Sequence, residues 1–450
     1  MLERKRKKSY RFLKVLLIIV MVVVVLFSGA IMTLQQLAKT MDPTIASQLW
    51  STLEYVPSSL LKYQFMPKSN EKVNSSLLKA EGFIKGICHP SRNYDLVKEA
   101  NIEWDRADIP FPFDEKGEIR ESYINWRAGI QEYVDNGIKI LAVTPYPGDF
   151  YEFGIDPRLP ESESKIKGVA IFLIQDLKGI ISGIQISNEL GVARFLYPLE
   201  SMEQAVWFMG IQLEAIAPFK GDIIAGYNSA GPQADHHAAM KPYHKYCDYI
   251  GVDIYAGCFA SAGVPFMNNI IIFDLIPQFL YAFTGLPVII CEFGYISEGE
   301  PKSAAEKLAI LQEYGYNSEE EAKANITEFI AQLPENFQND IKKGGGSDPG
   351  AYIFSDLNVG HLYRELPEGV VLKDYPHTPE GQAGFYEYII PHLASYPFII
   401  GTFVYCWKDS DRCYVCGFED CPIETRWGLV TRDEEKKPSF YAVKNAFAIL

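Results

Sequence analysis

Two short stretches of this chain end in residues able to do acid–base and nucleophilic work. "IQISNEL" (184–190) begins like a buried strand and closes on an amide and a carboxylate, Asn188 and Glu189. "VIICEFGYIS" (288–297) carries Glu292 in the same kind of setting, 103 residues further on. A carboxyl kept protonated can act as a general acid, while a second kept ionised can attack the anomeric carbon of a sugar. Such acetal cleavage requires the two groups to face each other across a sugar-sized gap. A glutamate ending a strand is, taken singly, as readily a solvated loop residue or a helix N-cap, so the elements that carry the pair decide its meaning.

From Gly82 onward, apolar runs of strand length alternate with helical stretches. The runs are 83–89, 102–111, 138–147, 181–190, 222–230, 249–257, 287–297 and 399–410. Between them lie amphipathic segments with recognisable ends. "SMEQ" (201–204) fits a capping box, Thr378-Pro379 an N-cap and N1 pair, and Gly137 a helix stop. Continuous apolar strands alternating with helices indicate a parallel sheet covered on its outside. Eight such units predict a (β/α)8 TIM barrel rather than a doubly wound sheet, the more so because "GICHPSRN" after the first strand is no Gly-rich phosphate turn. The main insertion, 299–375, falls between the seventh strand and its covering helix, where it could shape a substrate cleft.

In a barrel, reactive side chains gather where strands end at the C-terminal face. Those positions hold Arg106 and Asp108 on strand two, Tyr146 on three, Asn188 and Glu189 on four, and Asn228 on five. They continue with Asp253 and Tyr255 on six, Glu292 on seven, and Trp407 and Asp409 on eight. Each has an alternative reading. Arg106 could be a structural ion pair with Asp105 or Asp108, Tyr255 and Trp407 core aromatics, and Asp253 and Asp409 either sugar ligands or not. Cys291 should point away from Glu292 by the two-residue strand period and is read as packing. His236, His237 and His244 read as a solvated helix face.

The pattern resembles the retaining (β/α)8-barrel glycoside hydrolases of clan A. Those proteins share Asn-Glu at the end of strand four and Glu at the end of strand seven, matched here by "ISNEL" and "VIICEFGY". Arg106 in "WDRADIPF", Tyr255 in "GVDIYAG" and Trp407 in "VYCWKDS" match further positions, and the close "RWGLVTRDEEKKPSFYAVKNA" (426–446) is similar as well. Asp253 stands where many members carry a histidine, and strand three has none. The resemblance covers roughly 82–450 and implies Glu189 as general acid and base, with Glu292 as nucleophile. It further implies Asn188 on the sugar 2-hydroxyl, Arg106 and Tyr255 holding Glu292, and Trp407 as an aromatic floor. The expected substrate is an extracellular oligo- or polysaccharide with β-glycosidic bonds; transglycosylation by the same mechanism and a non-catalytic glycan-binding barrel are the alternatives. No cofactor or metal is expected; in particular "GICHPS" lacks the HxH of a metal-dependent hydrolase on this fold.

Charge and hydropathy set the context. Residues 1–14 hold seven basic groups and one acid, +6, so the formal charge of −15 leaves −21 for the remainder. That acidity argues against a nucleic-acid partner. Val15–Leu34 follows with 20 uncharged residues, at about 1.5 Å each enough to span a hydrocarbon core of about 30 Å. With the basic flank held in the cytoplasm, a single-pass signal anchor is expected, with the barrel outside the membrane; a cleaved signal peptide is the alternative. Residues 35–80 read as a stalk and 81–450 as the barrel. In "DRCYVCGFEDC" (411–421), Cys413, Cys416 and Cys421 favour a local disulfide outside the cell, with free thiols the alternative; a zinc knuckle needs four ligands, and three are present with no nearby histidine. Oligomeric state is left open.

Overall fold

The computed structural model describes residues 43–66, 76–259, 268–355 and 358–450. The expected anchor, 15–34, lies outside them; among the described residues no helix is long and apolar enough to cross a membrane.

Eight parallel strands close into a barrel in sequence order. They are β1 (Ile84–Cys88), β2 (Trp104–Asp108), β3 (Lys139–Val143), β4 (Gly183–Gln185), β5 (Ile224–Ala230), β6 (Tyr249–Ile254), β7 (Val288–Phe293) and β8 (Ile399–Val404). All eight apolar runs are strands, and each strand is shorter than its run. Arg106, Asn228, Asp253 and Glu292 stand among the last residues of their strands, and Asn188, Glu189 and Tyr255 just after theirs, all at the C-terminal face.

The barrel interior is filled by large side chains set against small ones. Trp104, Leu141, Ile224, Tyr249, Ile289 and Phe403 share one buried cluster. A Cβ at Gly86 would lie 2.2 Å from the Phe403 ring, so only glycine lets β1 pass that ring. A helix, Ser76–Glu81, precedes β1 and contributes Leu78 to the same cluster. The barrel's packing therefore begins before Gly82, inside the stretch the sequence assigned to a stalk. That stretch also contains a 21-residue helix, Pro43–Tyr63, whose last residue packs edge-on against Phe398.

Local signals placed the covering helices. Ser201 Oγ accepts from the Gln204 amide and caps Met202–Ile216, while Gln204 Oε1 accepts from Glu200 N–H instead of closing the box on Ser201. Thr378 caps Pro379–Ala394 through Gly381 N–H at 3.0 Å. This helix packs along Pro438–Ala448, the last of the chain. Between β7 and Pro379–Ala394, the insertion folds into short helices, including Glu335–Gly344 and Val359–Tyr363.

Candidate active site

The first carboxylate sits on a strained turn. β4 makes its last ladder bond at Ile186, whose N–H donates to Gly226 O at 2.9 Å. The backbone then swings out through Ser187 (φ 54°) and Glu189 (φ 47°), a left-handed region costly for residues with a Cβ. Neighbouring polar groups hold both. Ser187 N–H donates to Thr144 Oγ1 at 2.9 Å, Gln185 Nε2 to Ser187 O at 2.7 Å, and Glu189 N–H to Asn228 Oδ1 at 3.0 Å. Strain fixed by three separate bonds is the mark of a position the surrounding fold over-determines.

The second carboxylate depends on a bulge. Val252 pairs with Ile290 but Asp253 with Glu292; on the other side Ile290 pairs with Thr402 and Phe293 with Val404. Between Ile290 and Phe293, β7 thus carries one residue more than either neighbour. Ile289 and Cys291 both belong to the interior cluster, and the extra residue turns Glu292 inward as well. The strand period had assigned Cys291 and Glu292 to opposite faces. In fact Cys291 lies inside, its Sγ 2.6 Å from where a Gly251 Cβ would be, and it packs directly beneath the mouth.

A single hydrogen-bond net joins the strand ends. Buried Arg106 donates from Nη1 to Glu292 Oε1 at 2.5 Å, from Nη2 to Asn188 Oδ1 at 2.6 Å, and from Nε to Gln185 Oε1 at 3.1 Å. Tyr255 hydroxyl donates to the other oxygen of Glu292 at 2.6 Å. Asn228 Nδ2 donates to Asn188 Oδ1 at 2.5 Å and to Asp253 Oδ2 at 2.6 Å. Seven of the sequence-derived residues thus converge: Arg106, Asn188, Glu189, Asn228, Asp253, Tyr255 and Glu292. Gln185 joins them unforeseen, although a buried glutamine on an otherwise apolar strand was its signal.

Burial and mutual repulsion act on the carboxyls. Burial first, then the negative charge of Glu292, raises the Glu189 pKa to about 8, against the opposing pull of Arg194 and Arg106. Asp253 is raised too, by burial and by the charges of Glu292 and Glu189. Burial opposes the charge on Arg106, but Glu292 and Asp253 beside it raise its pKa, so it stays cationic. Glu292 receives a guanidinium on one oxygen and a phenol on the other.

Trp407, Asp409 and the three histidines lie outside this net, and Asp108 and Tyr146 at its rim. Trp407 is fully buried, with its ring edge-on to Phe440 of the last helix, and offers no face to a ligand. β8 ends at Val404, so the two-residue period no longer holds when the chain reaches Trp407. The aromatic residue that β8 delivers to the mouth is Tyr405, edge-on to Tyr255 at 6.0 Å and to Trp427 at 5.7 Å. Asp409 is a structural ion pair: it takes Lys437 Nζ at 3.0 and 3.2 Å and Gly428 N–H at 2.8 Å. Asp108 and Tyr146 meet each other at 3.3 Å at the rim, outside the Arg106 net. The three histidines are no solvated face. His236 and His237 are fully buried, and Tyr227 hydroxyl lies 2.9 Å from His237 Nδ1 and 3.0 Å from His244 Nε2.

A further carboxyl faces the pair from the loop after β8. Glu424, buried on the short helix Pro422–Thr425, has its pKa raised to about 8 by burial, opposed by Arg194 and reinforced by Glu292 and Glu189. No strand leads to it, so strand-end reasoning passed it by. Next to it opens a cleft of about 510 Å³, walled by Tyr146, Arg194, Phe195 and Tyr197 on one side and by Asp340 of the insertion and Tyr414 on the other. The 299–375 insertion does shape a cleft, through its helix Glu335–Gly344.

No family model matches this sequence, and no curated protein does. Solved structures share its fold. The catalytic domain of a family 53 glycoside hydrolase (GH53) from Ignisphaera aggregans is 15% identical, with a TM-score of 0.50, over 81% of this chain and 96% of its own. A family 39 glycoside hydrolase from Bacteroides cellulosilyticus is 14% identical with a TM-score of 0.46, and β-glucuronidase 2 of Bacteroides uniformis, a calcium-binding mutant, 15% with 0.48. Each covers 81% of this chain, which spans only 63% and 34% of theirs. The eight-stranded parallel barrel is the one that the clan A resemblance implied, with the family within the clan unassigned.

Proposed function

We propose that this protein is a retaining glycoside hydrolase that cleaves β-glycosidic bonds through a covalent glycosyl-enzyme. The observation that supports this most is the asymmetry of the two strand-end glutamates. Glu292 is clamped between Arg106 and Tyr255, while Glu189 keeps a proton at neutral pH.

In the first step a Glu292 oxygen bonds to the anomeric carbon as the bond to the leaving oxygen breaks. Glu189 delivers its proton to that oxygen, so the departing group leaves neutral. In the second step the ionised Glu189 takes a proton from water, the water oxygen bonds to the anomeric carbon, and the ester bond to Glu292 breaks. Two inversions leave the β configuration in the product. Asn188 Oδ1 already accepts from three donors, Arg106, Gln185 and Asn228, which leaves its amide N–H groups to hold the sugar 2-hydroxyl. Tyr405 and Tyr255, rather than Trp407, supply the aromatic surface. The substrate is an oligo- or polysaccharide outside the cytoplasm, with Val15–Leu34 holding the enzyme on the membrane.

The test is hydrolysis of a panel of aryl β-glycosides and β-linked oligosaccharides by the purified protein, with the first-formed anomer read by proton NMR. A β anomer appearing before mutarotation is expected. An α anomer would replace retention by inversion, and no turnover on any β-glycoside would remove the reading.

A further inference from the structure

Beside the cleft, the loop after β8 meets the insertion at a group of side chains that glycoside chemistry does not use. Cys413, Cys416 and Cys421 come from the loop, and His361 comes from the insertion helix Val359–Tyr363. One donor atom from each lies within 4.8 Å of all the others, and all four residues are buried. We propose that these four residues bind a structural zinc ion.

The donor set is the first argument. A tetrahedral zinc with Zn–S near 2.3 Å and Zn–N near 2.0 Å places a sulfur and a nitrogen ligand about 3.5 Å apart. His361 Nδ1 lies 3.6 Å from Cys413 Sγ and 3.5 Å from Cys421 Sγ. Three thiolates and one imidazole fill four positions and leave none open, as structural zinc sites require.

The backbone is the second argument. Cys413 and Cys416 are spaced C-x-x-C, and the turn between them points one amide at sulfur and closes on backbone carbonyls. Cys416 N–H donates to Cys413 Sγ at 3.3 Å, Gly417 N–H to Cys413 O at 2.8 Å, and Cys413 N–H to Phe418 O at 2.9 Å. The turn closes through Gly417 at φ 77°, a conformation that suits glycine.

The third argument is what the alternatives leave behind. All three cysteines are free thiols. A disulfide could join only two of them, leaving the third against a buried imidazole. His361 Nε2 is buried without a hydrogen-bond partner, and its Nδ1 faces only sulfur among the described residues. A fully buried histidine with so little polar compensation is costly as simple packing. The sequence could not complete this set, because its fourth ligand lies 52 residues upstream of Cys413, on a helix of the insertion.

The ion would join the insertion to the β8 loop at one point. That loop also presents Tyr414 to the cleft and Glu424 to the catalytic carboxyls. Zinc would thus fix the far wall of the cleft while the strands fix Glu189 and Glu292.

The test reads metal, not sugar, so its outcome is independent of the glycosidase reading. Full-length protein purified without chelator is expected to carry about one zinc per chain by plasma mass spectrometry. Exchange with Co2+ should give the near-ultraviolet thiolate-to-cobalt band and the strong visible bands of a tetrahedral site. Cys416→Ser and His361→Ala should each reduce bound zinc at least tenfold, while Cys247→Ser, remote from the cluster, keeps it. The cobalt spectrum of the unmutated chain decides the matter even if a variant fails to fold. Less than a tenth of an equivalent of metal with no cobalt band, or a disulfide between any two of the three cysteines in the native protein, would overturn the proposal.

Discussion

The barrel mouth and the corner formed by the β8 loop with the insertion lie side by side but are built on different principles. At the mouth, each side chain stands on or just after a strand, and the ladder register sets its place to within one residue. Arg106 holds Glu292 and Asn188 at once, and Asn228 holds Asn188 and Asp253. At the corner, Tyr414, Cys421 and Glu424 come from the loop after β8 and its short helix, and His361 from a five-residue helix of the insertion, with no ladder to align them. A rigid scaffold positions the chemistry, and the corner shapes what reaches it. If this contrast is right, damage at the mouth should remove turnover, whereas damage at the corner should alter affinity or stability.

The largest expected effect among these belongs to Glu189→Gln. Loss of the general acid should lower kcat/KM on poor leaving groups by about 10²–10⁴-fold and much less on activated aryl glycosides. Equal losses on both would deny Glu189 its role. The same group sets a pH limit. Because its pKa is raised to about 8, it is protonated and competent below that pH, and kcat/KM should fall about tenfold per pH unit above it. Folding carries the same sign. Glu189 binds its proton in the native state up to about 8 but in the unfolded state only to the ordinary 4.5, so its contribution to stability declines as pH rises through that window. Urea unfolding of the wild type against Glu189→Gln across the window reads this directly.

Glu424→Gln sharpens the comparison, because Glu424 also has a pKa near 8. Its removal should change KM by less than about tenfold and leave the alkaline limb in place, since the limb belongs to a group that touches the reacting bond. A limb that vanished with Glu424 would shift the acid role from the mouth to the corner. The smallest effect on turnover is expected from Asp409→Asn. It leaves Lys437 buried without its charge partner and should cost about 3 kcal/mol of stability with kcat unchanged. Chemical denaturation and steady-state kinetics on the same preparation separate the two.

The same contrast explains what could be read from the sequence. Parallel barrel strands are covered on both faces, so most appear as largely apolar runs, and counting the runs places seven polar residues at one end of one barrel. The errors lie where regular periodicity stops. The extra residue in β7 reversed the expected direction of Cys291. The end of β8 at Val404 exchanged Tyr405 for Trp407. Leu78, on a six-residue helix ahead of β1, gave no period long enough to reveal that it belongs under the barrel. Glu424 and His361 arrive through loops, where sequence separation says nothing of distance in space.

The central claim is that Glu292 is the nucleophile, and Glu292→Gly in the presence of azide tests it most directly. The variant should be nearly inert on aryl β-glycosides, with a loss on the order of 10⁴–10⁶-fold. Azide, small enough to enter the space left by the side chain, should restore turnover on an activated substrate and yield the α-glycosyl azide. A Glu292→Gly variant of normal activity, or one that azide leaves inert while its fold is intact, would contradict the account.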